Sequence, residues 1–463
     1  MNLPQLLYWA IIAFIAADFA VGIALTCLTV KASRWPIPKV LEGLYDEEKY
    51  RRQQAYASEN RKIGLLTSSL SLVISLALFA FGGFAWLDGA VRGMTGSYVL
   101  RSLLFFGFFF VLDFVVGLPF AAYSTFSIEE RYGFNKSTPG LFIGDTVKSF
   151  LVSALINGGL LCLATWIYTL TPQWFWLICF GVFSLVTIFF QYFASEIIVP
   201  LFNKQTPLEE GPLRDAIEAF AREAGFELED IYVMDESKRT TKANAYFSGF
   251  GRKKRVVLYD TLIQLLTTDE IVGVLAHEIG HYRRHHLWKM IGSALLESLI
   301  LFWLVSLVIG SPVIAAAAGC SEPSFWINVQ VFFLLLSPLG LIQALLDNSL
   351  SRKHEREADA FAREHGMGPA EASALKKLSA QALSNLTPPP RRSQDGVLAP
   401  APCRAGGVPD GAGGDLDGRP PEGHPEKLTG SSPPASRTYP FWESPPGALR
   451  TKEGRESPRT ISP

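Results

Sequence analysis

The sequence is poor in cysteine and has no excess of charge of either sign. Its 463 residues include 5 cysteines and no Cys-x-x-Cys pair, so neither a disulfide framework nor a cysteine-based metal site is indicated. The 42 Lys and Arg nearly balance 43 Asp and Glu, which argues against a nucleic-acid partner. The first apolar run has no basic flank and no small-residue cleavage site, which favours a retained helix over a signal peptide.

Apolar residues, by contrast, make up 49% of the chain and are gathered into long runs. Seven segments meet the length of about 20 residues that a helix needs to cross hydrocarbon. The sequence therefore predicts a mainly α polytopic protein embedded in a lipid bilayer. The predicted spans are 5–30, 63–87, 102–123, 149–170, 174–199, 289–318 and 325–346.

The charges between these spans predict the orientation of the protein. Lys and Arg are concentrated in 31–62 and 124–148, whereas 171–173 and 319–324 have none. The positive-inside rule then places the N-terminus outside and the long segment 200–288 in the cytoplasm. Six tryptophans near span ends are predicted to be interfacial anchors: Trp9, Trp86, Trp166, Trp174, Trp288 and Trp326.

The segment 200–288 has the pattern of a small α/β domain. Residues 212–225 have helical periodicity, and 230–234 has the composition of a strand. Residues 243–248 and 255–259 are typical of a hairpin, joined through glycines and lysines.

The strongest chemical signal is the motif His277-Glu278-Ile279-Gly280-His281. On a helix, this HExxH spacing places two imidazoles one turn apart on one face, where they can bind a single zinc ion. The glutamate between them can take a proton from water and pass it to a leaving amine. Thr267-x-x-Glu270 is a capping box that would begin this helix.

A zinc site needs a third protein ligand, which spacing alone does not fix. His285 shares a helix face with His277 but lies about 12 Å along the axis, too far to bind the same ion. The acidic segment after the last span offers Glu355 or Glu357, and spacing leaves both open, as well as a charged surface run. Asp359, one turn beyond Glu355, could accept the other N–H of a zinc-bound histidine.

The order of these motifs resembles the type 1 CAAX prenyl protease family of membrane-embedded metallopeptidases. In that family HExxH is followed, after two apolar spans, by N-x-x-S-R-x-x-E-x-x-A-D, and residues 348–359 match this pattern. The resemblance covers about residues 5–386. Other blocks that look like the family are 126–135, 200–208, 237–239 and 244–247.

This resemblance implies a fold and a set of site residues. The fold would be seven tilted helices around a chamber, with a small cytoplasmic α/β zinc-metalloprotease domain. The implied site has one zinc ion per chain, with Glu355 as the third ligand and Glu278 as the catalytic base. Supporting residues would be Asn348, Arg352 and Asp359, and the substrate-binding strand would be Asn244, Ala245, Tyr246 and Phe247.

The implied activity is zinc-dependent endopeptidase cleavage of a peptide or protein, including a prenylated CAAX C-terminus. No long acidic insertion separates Tyr259 from His277, so the chain looks more like the bacterial branch of the family. We therefore expect a bacterial inner membrane, or the endoplasmic reticulum in a eukaryote.

The C-terminal part departs from the family pattern. Beyond Leu386 the family continues with a His-Pro-Pro segment and an arginine, whereas here 388–463 holds 16 of the 29 prolines and 11 glycines. Loss of the family histidine predicts impaired turnover, so an alternative function is a binding scaffold. A transporter is disfavoured because the spans form no paired repeats.

The sequence thus predicts five regions. They are 1–199 with five transmembrane helices and cytoplasmic loops 31–62 and 124–148, 200–288 with the zinc domain, 289–347 with helices six and seven, 348–386 with the third ligand, and a disordered Pro/Gly-rich tail at 387–463.

Overall fold

The computed structural model describes residues 2–33, 43, 45–248 and 254–385. The tail predicted to be disordered and the turn of the predicted hairpin lie outside these described residues. The helices are α1 Leu3–Ala32, α2 Glu47–Ala80, α3 Gly83–Met94, α4 Tyr98–Tyr123, α5 Pro139–Leu170, α6 Phe175–Ile197, α7 Pro212–Glu223, α8 Asp260–Leu265, α9 Thr268–Arg283, α10 His286–Val308, α11 Pro312–Ala317, α12 Phe325–Leu335, α13 Ser337–Glu364 and α14 Gly368–Gln381. The strands are β1 Gln205–Pro207, β2 Asp230–Met234, β3 Ala245–Ser248 and β4 Arg255–Tyr259.

Six helical segments of the described residues are long and apolar enough to cross a membrane. They are α1, α2, α4 with the π-helical turn Ser124–Glu129, α5, α6 and α10. The prediction of a polytopic membrane protein is therefore confirmed.

Three of the seven predicted spans were wrong as single helices. The segment 289–318 divides into α10, which ends at Val308, and α11, which begins at Pro312. The segment 325–346 divides into α12, which has 11 residues, and α13, with Pro338 in the first turn of α13. An 11-residue helix is only about 16 Å long. The segment 63–87 divides because Gly82 adopts a left-handed conformation with φ 66°, which ends α2 and begins α3. Hydropathy alone detects none of these three breaks.

The apolar helices form a closed ring. Going around it, contacts join α1 to α2, α2 to α4, α4 to α5, α5 to α6, α6 to α10, α10 to α12, and α12 back to α1. Seven cylinders, each about 10 Å wide, leave a central gap of roughly 13 Å when they are arranged in a ring. The ring therefore has room for the predicted chamber, which itself stays a prediction.

One end of this ring is filled by aromatic side chains, and we call it the aromatic end. It consists of Phe84, Phe105, Phe175, Phe325 and Trp326, each at most 3% exposed, together with the aliphatic residues around them. Close packing of these large side chains helps to hold the helices together here.

Trp326 was predicted to be an interfacial anchor, and that prediction was wrong. Its side chain is 0% exposed, and its indole Nε1 donates to Oδ1 of Asp88 at 2.8 Å. Trp86 and Trp174, by contrast, are 67% and 58% exposed. A tryptophan near a span end can therefore face either the lipid boundary or the protein interior.

The strands form one sheet in the order β1-β2-β4-β3, in which β2 and β4 are parallel and the other two pairs antiparallel. The predicted strand at 230–234 and the antiparallel hairpin pairing are confirmed. α7 and α9 pack on the sheet, and Phe361 of α13 and Ala374 of α14 join the same core. The sheet region and the segment after the last span thus share one apolar core.

Candidate metal centre

The HExxH motif lies on α9, whose start is fixed by its own sequence. Thr267 and Glu270 form the predicted capping box, in which the backbone N–H of Thr267 donates to Glu270 Oε2 at 2.8 Å. Ser373 and Lys377 of α14 also donate to Glu270, at 2.6 and 2.7 Å. Burial would raise the pKa of Glu270, but these bonds hold that pKa at about 2. The carboxylate therefore joins α9 to α14.

Three side chains converge on one point between α9 and α13. Nε2 of His277 lies 3.1 Å from Nε2 of His281 and 3.3 Å from Oε2 of Glu355. Nε2 of His281 lies 3.7 Å from Oε1 of Glu355. A tetrahedral zinc ion with ligands about 2.0–2.1 Å away would hold them roughly 3.3 Å apart. The three residues therefore fit a zinc ion in both ligand type and spacing.

The two glutamates between which spacing could not decide lie in different places. Glu355 is 2% exposed and directs its carboxylate at the two Nε2 atoms. Glu357 instead accepts from His286, with 2.8 Å between Oε2 and Nε2. His285 is exposed, stands beyond the end of α9 and makes no described contact with this cluster.

The side of His277 that faces away from this point is held by two carboxylates. Its Nδ1 lies 3.0 Å from Asp359 and 2.9 Å from Glu371. Asp359 was predicted for this place, whereas Glu371 of α14 was missed. The available signal was weak: Glu371 is an acidic residue on an otherwise apolar helix face and is 2% exposed.

Close helix packing brings these side chains together. A Cβ added at Gly280 would stand 3.0 Å from the Cα of Ala358, between Glu355 and Asp359 on α13. A Cβ at Gly273 would stand 2.6 Å from the backbone nitrogen of Glu371. Glycine at these two positions therefore lets α13 and α14 approach α9.

Glu278 is positioned by α9 beside both histidines. Burial raises its pKa above the usual value, although the neighbouring His281 and His277 act in the opposite direction. A carboxylate with a raised pKa is a better proton acceptor at neutral pH than an ordinary glutamate.

The remaining predicted residues lie on α13 and at β3. Asn348 and Arg352 precede Glu355 along one face of α13, and Asn348 is 7% exposed. Three of the four predicted substrate-binding residues form β3, and Asn244 directly precedes it. β3 is an edge strand that pairs with β4 on one side, and no described strand pairs with its other side.

Comparisons with known proteins agree with this geometry. Residues 27–204 match the family model described as CAAX prenyl protease N-terminal, five membrane helices, and 207–436 match peptidase family M48. The chain belongs to peptidase family M48.

Relatives of known name extend this family assignment. The CAAX prenyl protease 1 of Saccharomyces cerevisiae is 33% identical over 387 residues, covering 78% of this chain and 85% of that protein. The CAAX prenyl protease 1 homolog of Oryza sativa subsp. japonica is 32% identical over 362 residues, covering 76% and 85%.

A solved structure also matches this M48 chain. The crystal structure of S. mikatae Ste24p has a TM-score of 0.79 and 32% identity, covering 84% of this chain and 95% of that one. The chain is therefore an integral, multi-pass membrane metalloendopeptidase with peptide or protein substrates, and the centre on α9 is its candidate metal site.

Proposed function

We propose that this chain uses zinc at His277, His281 and Glu355 to hydrolyse peptide bonds at the membrane. The observation that carries the proposal is the convergence of the three side chains, whose ligand atoms lie 3.1 to 3.7 Å apart. Two imidazoles and one carboxylate are the ligand set of hydrolytic zinc sites that keep a position for water.

Several residues of the chain have separate roles around this ion. A zinc ion bound here supplies Lewis-acid chemistry, which polarises a carbonyl and lowers the pKa of water. Glu278 takes the proton of the attacking water and delivers it to the leaving amine. Glu371 accepts from Nδ1 of His277 and Asp359 lies 3.0 Å from the same nitrogen, which keeps Nε2 of His277 directed at the metal.

The edge strand β3 is proposed to bind the substrate. An extended peptide can add to the unpaired side of an edge strand through main-chain hydrogen bonds, and that extended form suits a protease. The strand is held firmly, because the hydroxyl of Tyr246 is within 3.3 Å of Ser195 and accepts from Gln205 at 3.2 Å.

The substrate class is proposed to be prenylated C-terminal CAAX peptides or membrane-associated proteins. The support is twofold: two named relatives are CAAX prenyl proteases, and the ring of apolar helices could accommodate a lipid chain beside the peptide.

The proposed orientation has the zinc domain in the cytoplasm and the N-terminus outside. The basic segments 45–62 and 124–148 contact each other and the sheet region, through Arg131 with Glu59 and Lys242 with Glu129. These segments therefore belong to one side of the membrane, and their basic charge favours the cytoplasmic side.

We propose a bacterial inner membrane because only the short α8 and a turn separate β4 from α9. The five-region division of the chain stays a proposal.

Cleavage of matched peptides tests this function. The full chain in detergent is given one CAAX peptide with and without a farnesyl group, and products are measured by mass spectrometry. We expect metal-dependent cleavage that is abolished by a chelator and restored by zinc.

Glu278→Gln separates chemistry from binding in that assay. Loss of a general base typically costs ~10²–10⁴ in rate, and we expect such a loss with zinc retained. Glu227→Gln, at an exposed glutamate, should cleave at the wild-type rate. A Glu278→Gln variant that cleaves as fast as wild type would disprove the mechanism, and equal cleavage of both peptides would remove the prenyl requirement.

A further inference from the structure

The second zinc-binding histidine has an unusual neighbour. Nδ1 of His281 lies 3.0 Å from Nδ1 of His286, which is 1% exposed, rather than against a carboxylate. Nε2 of His286 lies 2.8 Å from Oε2 of Glu357. We propose that His286 is a positioning residue for His281, and that Glu357 anchors His286 in turn.

The protons of this chain of contacts have one consistent arrangement. A neutral imidazole that binds metal through Nε2 keeps its proton on Nδ1, so His281 donates through Nδ1. Nδ1 of His286 must then be the acceptor, which places the proton of His286 on Nε2. That Nε2–H donates to Glu357, so one neutral tautomer of His286 satisfies both hydrogen bonds.

The backbone break after α9 makes the contact possible. On a continuous helix, residues five apart point about 140° away from each other and cannot touch. His285 interrupts the helix with a left-handed φ of 56°, and α10 begins at His286 in a new direction. The break therefore returns His286 to the side of His281.

Neighbouring groups hold both His286 and Glu357 in place. The ring of His286 stacks on that of His354, with centroids 4.1 Å apart and planes 15° apart. Lys289 and Lys353 lie 3.8 and 3.9 Å from the carboxylate of Glu357, which favours its ionised, accepting form. Glu357 therefore has a place in the site although it does not reach the metal position.

His277 and His281 are therefore both held in place by neighbouring side chains. Both metal-binding imidazoles have their far nitrogen held, His277 by carboxylates directly and His281 by a carboxylate acting through an imidazole. Loss of such a partner typically weakens metal binding about 10–100-fold. This inference rests on the proposed zinc site.

The test is the rate at which zinc leaves the purified full chain in detergent after a chelator is added. His286→Phe keeps a flat ring of similar size beside His354 but has no nitrogen, and we expect zinc release about 10–100-fold faster than from wild type. His286→Asn retains an oxygen acceptor near the position of Nδ1 and should recover most of this loss.

His285→Asn is the matched control, because it makes the same substitution one residue earlier at an exposed position. Asparagine tolerates the left-handed conformation of that residue, so release should be unchanged. Wild-type release from His286→Phe would overturn the inference. Release from His286→Asn as fast as from His286→Phe would also overturn it, because that result indicates a packing role.

If His286→Phe does not fold, Glu357→Leu decides, with the same substitution at an exposed glutamate, Glu227→Leu, as its control. Glu357→Leu should release zinc roughly tenfold faster, and Glu227→Leu should match wild type; wild-type release from Glu357→Leu would overturn the inference. The zinc content of the wild type separates failure of the proposed function from failure of the inference about His286. A wild type without zinc contradicts the proposed function, whereas a zinc-loaded wild type with unaffected variants contradicts the role of His286 alone.

Discussion

The two ends of the helix ring are held together by different forces. At the aromatic end, large rings fill the space between helices, and a buried polar group such as Asp88 is satisfied by Trp326 and Arg92. About 30 Å away along α10, the metal centre is built from imidazoles and carboxylates on helices that approach through glycine. The first end contributes stability through burial, and the second fixes ligand directions through hydrogen bonds.

This difference predicts that stability and metal binding can be changed separately. Aromatic packing is not strongly directional, so losing a ring costs free energy but moves no ligand far away. The metal centre depends on atoms placed within tenths of an ångström, so a small helix displacement should affect metal binding strongly. The following predictions test that separation at each end.

The largest expected effect on stability is at the aromatic end. Trp326→Ala should lower the free energy of unfolding by about 3–5 kcal/mol, because it leaves a cavity and removes the hydrogen bond to Oδ1 of Asp88. Zinc bound per chain should stay unchanged below the unfolding temperature. Thermal unfolding in detergent with zinc analysis measures both.

The control for that change is Trp86→Ala, at a side chain that is 67% exposed. It should alter stability by no more than about 0.5 kcal/mol. Loss of zinc from folded Trp326→Ala would break the proposed separation between the two ends.

A smaller effect on stability is expected where α9 meets α13. Gly280→Ala places a methyl group 3.0 Å from Ala358, and we expect about 1–3 kcal/mol of destabilisation and weaker zinc binding. Gly292→Ala, where nothing lies within 4 Å, should gain about 1 kcal/mol from helix propensity. Gly280→Ala with wild-type zinc affinity would show that the close approach is not needed to place Glu355.

The subtlest prediction concerns pH. Glu278 must be ionised to accept a proton, and burial raises its pKa above the ordinary 4.5. Activity should therefore be lost as pH falls through a value above 4.5, while higher pH leaves the base ready. The acid limb of kcat/KM measures this, with zinc content determined at each pH. A limb at or below 4.5 with zinc still bound would contradict the raised pKa.

Local signals explain what could be predicted from the sequence. The capping box, the strand 230–234 and the membrane helices depend on neighbours within a few residues, and each was recovered. The spacing within HExxH likewise required His277 and His281 to share a helix face. These features need no knowledge of how distant segments meet.

Long-range packing explains what was missed. Glu371 contacts a histidine 94 residues earlier, and no periodic pattern records that contact. His286 lies just before a predicted span, yet the left-handed residue that precedes it turns its side chain towards the site. The burial of Trp326 depends on helices that come together from across the ring. The proposed effect of the atypical C-terminus concerns residues outside those described and stays a prediction.

Zinc stoichiometry in a pair of glutamate variants tests the central claim most directly. Wild type and Glu357→Gln, gel-filtered from saturating zinc, should each carry one zinc per chain. Glu355→Ala should carry far less, because its carboxylate is the group that faces both imidazoles. Full zinc in Glu355→Ala, or its loss in Glu357→Gln alone, would contradict a metal ion shared by His277, His281 and Glu355.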